Sequence, residues 1–417
     1  MNRRDESIYV VGVGMTPFGR HADKSVKALA ALAVSEAIAD AGCPPDAIEA
    51  AFFGSAGQGF LHGQILVGGQ VALLPMGLQG IPIYNVENAC ATGSTAFHLG
   101  VNLLKAQEAD VVLTVGAEKM ISEDKARVFE FFGGGWDVET PEQNIEQVLA
   151  LGKDFRPPID GSPTPYSVFM DVYASYARAH MLRHGLTQRQ LAVIAAKNHA
   201  HAVHNSRAHY REASTVEQVL AGRSISYPLT LPMCAPVSDG AAAAILCRGE
   251  AIRRYGFDRL RSVRVLASVM RSATARSSAE PRRHVCRETA HIAYERAGLG
   301  PTDMDLAEVH DASAMGEVLQ TEHLGLCEIG AGGRLAESGA TTLGGRIPVN
   351  PSGGLESKGH PIAATGLGQV FELVSQLRGE SGARQVEGAR LAIQENSGGL
   401  WGIEEASAHV AILARTA

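Results

Sequence analysis

Cys90 stands in the run Asn88-Ala89-Cys90-Ala91-Thr92-Gly93-Ser94, between a strand-like stretch at 81–86 and an apolar helical segment from about 91. A cysteine at a helix N-terminus feels the positive end of the macrodipole, which lowers its pKa and favours the nucleophilic thiolate. An arbitrary buried thiol serves more often as a small hydrophobe. Here the small residues around Cys90 would let a substrate approach the backbone, and that favours a nucleophile. A second run, Asn350-Pro351-Ser352-Gly353-Gly354-Leu355-Glu356-Ser357-Lys358-Gly359-His360-Pro361, puts a histidine in a Gly-rich turn ahead of a helix. Such a histidine can take a thiol proton or donate to an oxyanion. The third run, Glu308-Val309-His310-Asp311-Ala312, places His310 at a strand end. The chain holds 15 histidines, so either one alone would be read as a satisfied core or surface residue. The fourth run is Glu395-Asn396-Ser397-Gly398-Gly399, where exposed amides of Gly398 and Gly399 could form an oxyanion hole.

The segments that must position these residues alternate. A strand at 8–14, a helix at about 26–41, a strand at about 49–54, a helix from about 91 and a strand at 110–116 predict an α/β architecture. Residues 120–233 change character. Phe131-Phe132-Gly133-Gly134-Gly135-Trp136, Arg156-Pro157-Pro158 and Ser162-Pro163-Thr164-Pro165 break regular structure, and amphipathic helices follow at about 171–184 and 187–204. A small-residue strand resumes at Ser238-Asp239-Gly240-Ala241. The segment 41–51 matches 297–307 without a gap: in each, a helix stops at Gly, turns through Pro and Asp, and re-enters a strand. Ala91-Thr92-Gly93 likewise has a counterpart in Ala364-Thr365-Gly366. Two matches in the same order point to duplicated halves, whose equivalent turns would meet near a pseudo-dyad and share one site.

Composition narrows the function classes. A net charge of −7 over 417 residues gives no electrostatic reason to expect nucleic acid or an anionic membrane as partner. No apolar run approaches the length of a membrane span, and the opening Met1–Ser7 lacks the pattern of a signal peptide. Six cysteines without CxxC pairing are read as free thiols in a reducing, cytoplasmic setting. Cys43, Cys234, Cys247, Cys286 and Cys327 have no base nearby in sequence and are assigned structural roles. His199, His201 and His204 do not share one helix face and lack a completing ligand, so no metal site is expected.

The Asn-Ala-Cys-Ala-Thr-Gly, Gly-Gly-Leu-Glu-Ser-Lys-Gly-His-Pro, Ser-Asp-Gly-Ala-Ala and Glu-Val-His-Asp motifs resemble the thiolase superfamily, closest to its sterol-carrier-protein and archaeal-type branch. Lys197-Asn198-His199-Ala200-His201 followed by Asn205 resembles that branch too, and order and spacing agree over nearly the whole chain. The resemblance implies two homologous halves forming a five-layered αβαβα sandwich. It sets the N-terminal half at 1–119 plus 235–262, an inserted loop domain at 120–234, and the C-terminal half at 263–417. By resemblance Cys90 attacks a thioester carbonyl and His360 accepts its proton. His310 stands where many thiolases carry an asparagine and, with His360, polarises the thioester oxygen of the second acyl unit. The amide of Cys90 and a glycine of the 398–399 pair hold the other oxyanion. The substrate is a coenzyme A thioester, acyl-CoA or 3-ketoacyl-CoA, with no permanently bound cofactor. The assembly implied is a homodimer or homotetramer, with room for a small OB-fold partner protein.

The sequence departs from the family at the second catalytic thiol. Thiolases with a C-terminal Cys-x-Gly-Gly-Gly have it there; this chain reads Gln394-Glu395-Asn396-Ser397-Gly398-Gly399. The sterol-carrier branch has it directly after His-Asp, where this chain has Ala312. Glu395 falls near the missing cysteine and could take its acid/base task, with a pKa raised by burial. The leading expectation is an acyl-CoA C-acyltransferase of lipid metabolism, making or cleaving 3-ketoacyl-CoA through an acyl-cysteine. The alternatives are a decarboxylating condensing enzyme, a retro-aldol lyase on CoA thioesters, and a non-catalytic acyl-CoA-binding subunit of a heteromeric complex.

Overall fold

The structure is a computed structural model that describes residues 6–158 and 164–416. The opening residues 1–5 and the Ser162-Pro163 breaker lie outside the described residues. Besides a two-stranded ribbon at Ser224–Ser226 and Leu229–Thr230, the strands are β1 (Ile8–Met15), β2 (Ala50–Gly54), β3 (Ile83–Val86), β4 (Val111–Glu118), β5 (Gly240–Arg248), β6 (Val263–Ser272), β7 (Leu306–Glu308), β8 (Leu391–Gly398) and β9 (Ser407–Arg415). They form one sheet in the order β3-β2-β4-β5-β1-β6-β9-β8-β7. From its middle the order reads the same outward in both directions. β1 and β6 pair antiparallel at the centre, and β5 and β9 lie antiparallel outside them. β4 and β8 follow antiparallel, then β2 and β7 parallel. β3 pairs parallel with β2 on one edge, and Val349 bridges in parallel to Ala307 on the other. This is the duplication expected from the paired sequence segments.

The layers follow from what each strand face buries. The inner faces of both half-sheets pack on α2 (Thr92–Lys105) and α7 (Ile362–Arg378) through Phe97, Val101, Leu367, Val370 and Leu373. The outer face of the first half buries α1 (Val26–Ala41) through Leu29, Ala33 and Ala37, and that of the second buries α5 (Val285–Ala297) through Ala290, Ala293 and Tyr294. The result is α1, half-sheet, α2 with α7, half-sheet, α5. Both outer helices stop at a left-handed glycine, Gly42 (φ 60°) and Gly298 (φ 67°), and pass through a short 3-10 turn at Pro45–Ala47 or Pro301–Asp303.

Between β4 and β5 the chain is mostly helical. α3 (Phe169–His184) and α4 (Gln188–Ala202) share an apolar core with α6 (Ala314–His323) through Leu191, Ile194, Met315 and Val318. α4 starts in a capping box, Thr187 and Gln190 satisfying each other's backbone amides. Among the described residues no helix is long and apolar enough to cross a membrane.

Candidate functional site

Cys90 sits in a 3-10 turn (Ala89–Ala91) that runs directly into α2, and Ala89 is held at φ +48°. A non-glycine residue there is strained, and strain of this kind persists only where the surroundings enforce it. Asn88 donates its amide to the Thr92 hydroxyl at 2.9 Å, and that hydroxyl donates to the Ala89 carbonyl at 2.7 Å. His360 precedes α7, the duplicate of α2. The two helices meet closely at their starts. A β-carbon on Gly93 would fall 2.5 Å from the Ala363 carbonyl, and one on Gly366 2.0 Å from the Ser94 hydroxyl. Gly93 and Gly366 therefore serve contact between the two helices.

The Cys90 sulfur and one nitrogen from each of the His310 and His360 rings lie within 4.8 Å of one another. The two rings cross edge-on with centroids 5.2 Å apart. Thr365 donates to the Pro361 carbonyl at 3.1 Å, so at 2.7 Å it accepts the hydrogen on His360 Nδ1. That leaves Nε2 as the bare lone pair, the tautomer a general base requires. Both ring nitrogens of His310, and Nδ2 of Asn396, are buried with no hydrogen-bond partner among the described residues. Buried polar atoms are nearly always paired, so these atoms are suited to the polar groups of a ligand.

Protonation departs from the sequence expectation. Burial pushes the Cys90 thiol up to about 12, with the Glu87 carboxylate adding to the effect. Desolvation of a thiolate outweighs the field of the helix end, so the resting sulfur is a neutral thiol. Burial also lowers His310 to about 4 and holds His360, beside His310 and Lys358, well below its usual range. The pair is a thiol with a neutral base.

The remaining motif residues hold these groups in place. Lys197 on α4 pairs with Glu317 at 2.7 Å and donates to the Val349 carbonyl at 2.8 Å. Asn198 donates to Asp311 and Glu317, each at 3.1 Å, and Asp311 takes the Leu355 amide at 2.8 Å. His199 contacts Ser357, and His201 spans the Asn350 carbonyl and the Leu343 amide, both at 3.0 Å. Glu308 receives Lys358 at 3.0 Å and Ser352 at 2.7 Å. Gly354 (φ +60°) must lack a side chain, because a β-carbon would lie 2.1 Å from the Asp311 carboxylate. The Lys-Asn-His-x-His run thus clamps the turn carrying His360 to the strand end carrying His310.

The fourth run lies on β8. Gly398 is buried within the strand and pairs with Ser407, so it is not exposed as expected; Gly399, at φ +68°, is half-buried just beyond the strand end. Side chains alternate along a strand. Glu395 therefore shares the face of Ile393, toward α5, while Asn396 faces the inner layer and takes the Ser94 hydroxyl at 2.7 Å. The Glu395 carboxyl accepts the His310 amide at 3.0 Å. Burial raises it to about 8, with neighbouring Glu405 adding to the effect. Ala312 occupies the other vacant cysteine position.

A thiol does reach this region. Cys286, assigned from sequence to a structural role, comes from the start of α5 and contacts Glu395 at 3.7 Å and Glu405 at 3.8 Å. Its carboxylate partners lie more than a hundred residues away in sequence, and only His284, two residues before it, is a local member of the cluster. Thr365 was missed for a different reason: only the packed turn shows that its hydroxyl orients His360.

Residues 8–214 match the thiolase N-terminal domain and residues 267–415 the thiolase C-terminal domain-like family. The chain belongs to the thiolase family. It is 38% identical to sterol carrier protein 2 of Oryctolagus cuniculus over 402 residues, covering 94% of this chain and 70% of that protein. It is also 38% identical to an acetyl-CoA acetyltransferase of Methanothermobacter thermautotrophicus, covering 95% and 97%. In fold it resembles the solved Ltp2-ChsH2(DUF35) aldolase, with a TM-score of 0.77 at 21% identity and 99% of each chain covered.

Proposed function

We propose that the protein is an acyl-CoA C-acyltransferase working through an acyl-Cys90 intermediate. The observation that carries this reading is the convergence of the Cys90 sulfur with nitrogens of His310 and His360 within 4.8 Å, His360 being held with Nε2 unprotonated. As Sγ attacks a thioester carbonyl, His360 takes the thiol proton and passes it to the departing CoA thiolate. The amides at Cys90 and at the Gly398–Gly399 end of β8 stabilise the oxyanion. In the second half-reaction Glu395 takes the α-proton of another thioester whose oxygen is polarised by His310, the α-carbon attacks acyl-Cys90, the C–S bond breaks, and the departing Cys90 sulfur is reprotonated through His360. Thiolytic cleavage is the reverse. No permanently bound cofactor is needed, only the CoA thioester. Domain limits at 119/120, 234/235 and 262/263 are part of this reading, the 120–234 insertion supplying much of the CoA and acyl surface.

The test is intact-protein mass spectrometry after incubation with a panel of acyl-CoAs. An adduct on the wild type that disappears in Cys90→Ala supports the reading; acylation persisting at another cysteine removes it.

The empty cysteine positions favour a second reading, a decarboxylating condensing enzyme, in which loss of CO₂ generates the carbanion; turnover of malonyl-type thioesters separates it from the first. A retro-aldol lyase is the further variant, in keeping with the aldolase of similar fold. A non-catalytic acyl-CoA-binding subunit has no need of the nucleophile–base pair.

The assembly proposed is a homo-oligomer joined at β3, an outer strand on which Tyr84 is exposed; Ile65, Leu66 and Val67, earlier in the chain, are exposed as well. A small OB-fold protein is a candidate additional partner. Sedimentation as a monomer at micromolar concentration would remove the homo-oligomer. All six cysteines are free, in keeping with a reducing, cytoplasmic location.

A further inference from the structure

Behind His310 lies a buried cluster that the proposed chemistry does not use. Cys286 at the start of α5 touches Glu395 on β8 and Glu405 ahead of β9. Glu405 in turn receives His284 at 3.2 Å and Gln320 at 3.1 Å. His284 stacks on His323 of α6, with centroids 3.8 Å apart and planes at 19°. The donor types suggest a metal, but the geometry does not. His284 Nδ1 accepts the Cys286 amide, so its other nitrogen carries the hydrogen given to Glu405. Two nearly parallel stacked rings also cannot aim their lone pairs at one ion.

We propose that Cys286 and Glu405 are positioning residues for Glu395, holding its carboxyl under His310 and tuning its exchange of a proton with substrate. The inference rests on the acid/base reading of Glu395. One thiol bridges both carboxylates, at 3.7 and 3.8 Å, and Glu395 alone of the two bonds the amide of a candidate catalytic residue. The two acids are driven apart. Although burial alone would raise it, the hydrogen bond from His284 draws Glu405 down, while Glu395 rises to about 8. Such divergence within a carboxyl pair is the usual basis for dividing acid and base roles. The groups facing the cluster are His284 on the lead-in to α5, Gln320 and His323 on α6, Tyr173 and Tyr176 on α3, His310 after β7, and Arg276 paired with Glu404.

The signs are opposite for the two residues. The Cys286 S–H stabilises ionised Glu395, so Cys286→Ala moves the ascending pH limb of the second half-reaction upward. Glu405→Gln removes a neighbouring negative charge and moves that limb downward, each by about one pH unit. Cys286→Ser keeps a donor and stays near wild type. Formation of acyl-Cys90 is the internal control and stays unchanged in all three. Unshifted limbs, shifts of the same sign, or a parallel loss of acylation in Cys286→Ala and Cys286→Ser overturn the proposal. A fully active Glu395→Gln overturns the reading beneath it instead. An inert Glu395→Gln with unshifted Cys286→Ala and Glu405→Gln profiles leaves that reading standing and removes only this one.

Discussion

Gly398 lies directly against the amide of Cys90. A β-carbon at Gly398 would fall 2.7 Å from that nitrogen and 2.6 Å from both the Asn88 carbonyl and the Ala91 amide. All three are backbone atoms of the turn that sets the nucleophile, so none can move aside by changing rotamer. The end of a C-terminal strand thereby fixes a turn some three hundred residues earlier.

Gly398→Ala should therefore cost roughly 1–3 kcal/mol of stability, as overpacking does, and suppress acylation of Cys90 even in the molecules that fold. Chemical denaturation and intact mass after incubation with an acyl-CoA measure the two effects. Normal acylation in this variant would show that the contact is not needed to shape the elbow.

The neutral Cys90–His360 pair predicts slow reaction with simple alkylating agents. A thiol raised to about 12 holds far less thiolate at pH 7 than a free cysteine of ordinary pKa near 8.5. Iodoacetamide should modify Cys90 more slowly than free cysteine at pH 7, at a rate that climbs through pH 9. Acylation by thioester should be flat from about pH 6 to 8, because His360 stays neutral there and takes the proton during attack. His360→Ala should lower the acylation rate by about 10²–10⁴-fold. Fast alkylation at pH 6 would show a thiolate–imidazolium pair instead.

Glu395→Gln should still form acyl-Cys90, since that half-reaction needs only the sulfur and His360. It should lose about 10²–10⁴-fold in carbon–carbon bond formation or thiolytic cleavage, where a proton moves at the α-carbon. His310→Ala should impair both non-decarboxylating and malonyl-type substrates, whereas a decarboxylating enzyme would tolerate Glu395→Gln. Rapid-quench measurement of each half-reaction distinguishes the cases, and full activity of Glu395→Gln on non-decarboxylating substrates would exclude its acid/base role.

Acid should loosen the turn that carries His360. His201 accepts the Leu343 amide on one nitrogen and faces the Asn350 carbonyl with the other, an arrangement that only the neutral ring can keep. Burial holds it down at about 3. Its folded pKa lies below the unfolded value near 6.5, so its contribution to stability is complete above that value and is lost as pH falls toward 3. Amide exchange at 341–352 should accelerate over this window, ahead of that in β5. Uniform exchange across both segments would argue against a local event.

The sequence alone determined the half-repeat, the α/β order and the residues able to do chemistry, because each is written in local spacing. Gly42 and Gly298 end equivalent helices wherever those helices pack. The Cys90, His310 and His360 motifs each need only a strand end or a helix start to present them. Only the tertiary structure decided the electrical state of the site. The helix end favours a thiolate, but burial is set by everything packed around Cys90, and it leaves the thiol neutral. The same holds for Cys286, whose partners Glu395 and Glu405 meet it across 109 and 119 residues of chain. Local sequence carries propensity and pattern; desolvation and contact between distant segments arise only when α5, β8 and the approach to β9 close on one another.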